Sequence, residues 1–145
     1  MKVHLIIFLT IFYSIGIFGQ ENLPNKFPVG FSCGESGNPT PLVEEMTELI
    51  YERKYFEISE FLKSKNTGKQ FLAIIVLERL DKYNLYKLSG DQEDQINFLK
   101  KIDFLVFNCW GCSPDYNKLN DLLEKKIHLG YENWLEKMIP MNKAK

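Results

Sequence analysis

Apolar residues recur at helical spacing over most of this chain. Leu42, Val43, Met46, Leu49 and Ile50 fall on one stripe and Glu44, Glu48 and Glu52 line a polar face. That pattern predicts a helix with Thr40 as N-cap and Pro41 in its first turn. A second short helix is expected from Tyr55 to Lys63, turning Ile58, Phe61 and Leu62 to the same core, before the polar run Ser64-Lys65-Asn66-Thr67-Gly68 breaks it. Lys69 to Tyr83 is the most apolar stretch after the leader. Phe71, Leu72, Ile74, Ile75, Val76, Leu77 and Leu80 cover most of a helix circumference, so this element is expected at the centre of the core. Its β-branched run Ile74-Ile75-Val76 would suit a strand, but the apolar pattern continues to Leu80 and the flanks lack hairpin signals.

Ser89-Gly90-Asp91-Gln92 has the spacing of a capping box and opens a helix with Ile96, Leu99 and Ile102 on one face. Phe104-Leu105-Val106-Phe107 reads two ways, as an extension of that helix or as an extended piece leading into Cys109-Trp110-Gly111-Cys112. Laying Thr40 on Ser113 without a gap suggests an internal repeat: Thr40-Pro41 meets Ser113-Pro114, Met46 meets Leu119, and Phe61-Leu62 meets Trp134-Leu135. Any two amphipathic helices with such starts share this much. The expected fold is all-α, a single domain of stacked antiparallel helical hairpins over residues 40–138, with 139–145 as a C-terminal tail.

Within that pattern Tyr55 to Leu80 resembles a helical hairpin of the HEAT-like repeat class, through Ile58 and Leu62, Ser64 and Asn66 in the turn, then Ala73, Leu77 and Leu80. The resemblance covers about one unit. It implies a right-handed stack of antiparallel helices and a protein-binding surface. Phe104 to Lys126 is similar in its strand, CxxC and helix order to a thioredoxin-like oxidoreductase, but the proline loop and closing strands of that fold have no counterpart.

The two ends change the picture of where such a domain works. Met1-Lys2-Val3-His4 is a short cationic start, Leu5 to Phe18 is uncharged, and Gly19 supplies a small residue, so residues 1–20 read as a cleavable export signal. Residues 21–39, with Pro24, Pro28, Gly30, Gly34, Gly37 and Pro39, form an arm too broken for a regular element. Cleavage leaves 125 of the 145 residues, enough for one core. The remaining 17 basic and 19 acidic residues lack a concentrated cationic face, which argues against a nucleic-acid partner. No membrane span is expected after cleavage. His128 is then the only histidine, placed in a last helical turn before Gly130 where a cation suits the helix dipole.

Cysteine carries the candidate chemistry. Three cysteines in an oxidising compartment leave one unpaired within the chain, and Cys33 bonded to Cys109 or Cys112 would staple the arm to the far part of the domain. A redox pair Cys109–Cys112 is the sharper alternative, because a CxxC before a helix start favours thiolate. Cys33, Cys109, Cys112 and His128 would also make a Cys₃His zinc shell, but an oxidising compartment and the missing second ligand pair argue against it. No phosphate loop, GxSxG elbow or HExxH motif is present, so no catalytic residue, cofactor or metal is assigned. Tyr83, Tyr86, Trp110, Tyr116 and Tyr131 are the candidate contact residues. The function expected on these grounds is binding of another protein, with inhibition of, or immunity to, an exported enzyme as a special case and thiol-disulfide catalysis as the competing class.

Overall fold

A computed structural model describes residues 27–141. Residues 1–20, read above as an export signal, the start of the arm and the end of the tail lie outside this range. In chain order the elements are α1 (Pro41–Tyr51), α2 (Tyr55–Glu60) running into a 3-10 turn (Phe61–Lys63), α3 (Thr67–Lys82), α4 (Gly90–Ile102), β1 (Leu105–Trp110), β2 (Ser113–Lys118), α5 (Leu119–Leu123) and α6 (Tyr131–Met138).

α3 is the central element, because its apolar residues are not confined to one stripe. Phe71 to Leu77 and Leu80 are all buried, and α1, α2 and β1 pack around them. Asn66 sets where this helix begins, its side-chain oxygen accepting from the N–H groups of Gly68 and Lys69 at 2.9 and 3.1 Å. Ser89 and Gln92 close the capping box of α4 in both directions, with Gln92 N–H donating to Ser89 Oγ at 3.3 Å and Ser89 N–H to Gln92 Oε1 at 3.0 Å.

The domain is not all-α. Leu105 to Lys118 forms an antiparallel hairpin in which Leu105 pairs with Lys118 and Trp110 with Ser113. β1 is rich in β-branched and aromatic residues, and Gly111, at φ 58°, takes the first central position of a two-residue turn as type II′ geometry requires. Ser113-Pro114 therefore starts a strand and opens no helix. With its second copy beginning as β-structure, the internal repeat does not hold, and the HEAT-like stack gives way to a mixed architecture. The thioredoxin-like order fails for the same reason, since a strand follows the CxxC segment.

The arm adds a broken parallel track to the free side of β1. Val29 N–H donates to Phe107 O and Cys109 N–H to Val29 O, both at 2.8 Å. Further along, Gly111 N–H donates to Ser32 O at 3.0 Å and Gly34 N–H to Gly111 O at 2.7 Å. Phe107, Cys109 and Gly111 thus spend their backbone groups on the arm, so their neighbours across the hairpin, Tyr116 and Pro114, point theirs away from β1. Proline is tolerated there because it has no N–H to lose. Asp115 Oδ1 accepts the Tyr116 N–H at 2.7 Å, which leaves the outer edge of β2 with few free donors for another strand.

Thr40 ties the arm to the helices: its N–H donates to Gly30 O at 2.9 Å and its hydroxyl oxygen accepts the Gly30 N–H at 3.1 Å. Phe31 then packs 5.1 Å from Trp134 and 6.4 Å from Tyr131, and Tyr131 meets Phe71 edge-on at 5.7 Å. This aromatic chain fastens α6 to the core. Burial pushes the Tyr131 phenol up to about 12. Because the neutral phenol is favoured in the folded state, stability is complete below pH ~10, where the unfolded tyrosine is also neutral, and is lost as pH rises toward ~12. We expect Tyr131→Phe to flatten this alkaline decline in denaturant titrations between pH 9 and 11.5; an unchanged slope would show that Tyr131 is not its source.

Candidate functional site

Side chains of β1 alternate about the strand, so Val106 and Asn108 turn into the core and Leu105, Phe107 and Cys109 turn to the opposite face, where Cys109 is buried against the arm. The inward Asn108 is satisfied: its Nδ2 donates to Val106 O at 2.9 Å and its Oδ1 accepts from Asn117 Nδ2 at 3.2 Å. On the outward side Phe107 stacks on its cross-strand partner Tyr116 with ring centroids 4.7 Å apart. Leu105 and Tyr116 remain 52% and 54% exposed, which makes this face apolar and accessible together.

A disulfide between Cys33 and Cys109 closes the arm-side end of the same face, joining residues 76 apart in sequence with Cα atoms separated by 5.9 Å. Gly30 lies directly against it. A Cβ at this position would overlap the Cys33 and Cys109 sulfurs and stand 2.9 Å from Cys109 O. Gly30→Ala should therefore cost about 2–3 kcal/mol through overpacking, measured by urea unfolding of the oxidised protein. A loss below 0.5 kcal/mol would mean that the arm moves aside freely.

Cys112, the remaining thiol, is exposed in the turn. With Cys33 and Cys109 joined, the Cys₃His set has lost two thiolates, and among the described residues no three His, Cys, Asp or Glu side chains converge as metal ligands. His128 lies beyond the end of α5, which stops at Leu123, and not in a last helical turn. Its ring meets Trp110 edge-on at 5.3 Å.

The five candidate contact aromatics are scattered by the fold. Trp110, 49% exposed, has the strand parity of Val106 and Asn108, opposite to Tyr116's partner Phe107. Tyr131 is buried in the core, its hydroxyl donating to Leu123 O at 3.4 Å. Tyr83 is half-buried beneath the Arg79 guanidinium, 4.6 Å from the ring centroid. Tyr86 sits edge-on to Tyr55 at 5.8 Å and accepts from Gln92 Nε2 at 2.9 Å. Leu105 and Phe107, which share the outward face with Tyr116, stand in the stretch Phe104-Leu105-Val106-Phe107 that reads two ways, and its unbroken apolar run singles out neither face.

A separate shallow cleft of about 210 Å³ lies between α2 and the start of α4, lined in part by Phe56, Ser59, Leu62, Gln92 and Gln95. Three of its polar side chains are already engaged: Ser59 donates to Phe56 O at 2.7 Å, Gln95 to Leu62 O at 3.5 Å, and Gln92 serves the helix cap. It is smaller than most small-molecule sites. The outward face of the hairpin is the better candidate. Comparison of the chain with protein-family models, with curated protein sequences and with solved structures returns no match.

Proposed function

We propose that this chain is an exported, non-catalytic binding domain that presents the outer face of its hairpin to another protein. The observation that carries the reading is the half-exposed Leu105 beside the Phe107–Tyr116 stack, whose Tyr116 is itself half-exposed. Aromatic side chains held on rigid backbone supply contact area at low entropic cost, and interfaces are enriched in them. Here the rigidity comes from both sides of β1, through its pairing with β2 and through the disulfide-anchored arm. The leader and the Cys33–Cys109 bridge support export, and among the described residues no helix is long and apolar enough to cross a membrane. An inhibitor or immunity role toward an exported enzyme is the special case of this reading in which the partner is an enzyme.

A photo-crosslinking residue at position 116 tests it in the exported fraction, with position 56 on the far cleft as control. A discrete adduct from 116, abolished by Leu105→Ser and absent from 56, is the expected result. Equal or no adducts at the two positions would refute the proposal.

A further inference from the structure

The geometry points to a movable crosslink: we propose that Cys112 exchanges with the Cys33–Cys109 disulfide, so that the arm can be bridged to either end of the Cys109-Trp110-Gly111-Cys112 segment. Three observations place the sulfurs for this. Cys33 forms a parallel bridge with Gly111, the residue immediately before Cys112, through the Ser32 and Gly34 backbone contacts on either side. Neighbouring strands lie about 4.8 Å apart and successive Cα atoms 3.8 Å apart, so the Cα atoms of Cys33 and Cys112 are no more than about 9 Å from each other. A shift of roughly 2 Å at the hairpin turn brings them within bridging distance. Second, Cys112 is exposed and in the turn, the part of a hairpin with fewest packing constraints. Third, accessibility selects the sulfur to be attacked: Cys33 is half-exposed, whereas Cys109 is 5% exposed.

The step is an isomerisation. The Cys112 thiolate attacks Cys33 Sγ; the Cys33–Cys112 bond forms as the Cys33–Cys109 bond breaks, and the electron pair leaves on Cys109 Sγ, which takes a proton from solvent to replace the one Cys112 gave up. No oxidant or reductant is consumed. The product holds the arm by the turn and leaves Cys109 as a thiol beside Gly30. Since Val29 and Phe31 lie two to four residues before Cys33, the exchange shifts the arm residues that pack on β1 and on Trp134.

Differential alkylation of the oxidised, leader-free protein tests the proposal. Samples held at pH 8 without added thiol are quenched in acid, alkylated and cut with chymotrypsin, which cleaves after Trp110 and separates Cys109 from Cys112. The label is expected only on Cys112 at first, then on Cys109 in about one molecule in ten within hours, the timescale of uncatalysed disulfide rearrangement. The rate should not change when the protein is diluted tenfold, and Cys112→Ser should carry no label at any time. Label confined to Cys112 throughout would overturn the proposal. So would a rate that falls on dilution, or label on Cys109 in the Cys112→Ser protein.

Discussion

Cys33→Ser is expected to lower the unfolding free energy by about 4.5 kcal/mol, the chain-entropy value for a closed loop of this length. The bridge spans 76 residues and so encloses α1, α2, α3 and α4 within one covalent ring. A single domain has only about 5–15 kcal/mol in total, which makes this the largest single-residue loss expected outside the core. Denaturant unfolding of the oxidised natural protein and the variant measures it, and Cys112→Ser, an exposed thiol in the turn, should stay within about 0.5 kcal/mol of the natural protein. A loss below 1 kcal/mol for Cys33→Ser would show that the backbone bonds of Val29, Ser32 and Gly34 hold the arm unaided.

Phe71→Ala should cost about 4 kcal/mol. Phe71 is fully buried on the central helix and meets Tyr131 edge-on at 5.7 Å, so truncation opens a void at the junction of α3 and α6 and removes an aromatic pair as well. The contrasting substitution is Phe98→Ala. Phe98 is 55% exposed on α4, and its loss should fall within about 0.5 kcal/mol. Thermal unfolding followed by near-ultraviolet circular dichroism separates the two, because the Phe71 variant also loosens the Tyr131 and Phe31 packing. Similar melting temperatures for both variants would contradict the placement of α3 at the centre.

The helices up to Ile102 were legible because their signals are local. Pro41 in a first turn, the Ser89–Gln92 box and the wall-to-wall apolar surface of α3 each lie within a few residues of the structure they specify. β2 was not legible. Ser113-Pro114-Asp115-Tyr116-Asn117-Lys118 has little strand propensity, and its extended form comes from pairing with β1 across a turn that only Gly111 announces. Thr40 shows the opposite lesson. It stands at a helix start as its type suggests, yet its hydroxyl serves the Gly30 amide and not the helix. Val29 is fully buried in a Gly/Pro-rich stretch that carries no periodicity, because its partner Asn108 lies 79 positions away. The outward face of Leu105, Phe107 and Tyr116 was hidden by the same pairing, since a strand's alternation cannot be read before the strand itself is assigned.

The parallel contact between Val29 and Asn108 governs the order in which the molecule can assemble. A ribosome must synthesise the intervening helices, and the hairpin after them, before the early segment has anything to join. Contacts so distant in sequence slow folding, because the chain entropy of the intervening loop is lost before the contact stabilises it. Until Asn108 emerges, the flank of α3 that β1 will cover stays wet, and a nascent polypeptide halted before Leu105 would hold helices with no partner for that side.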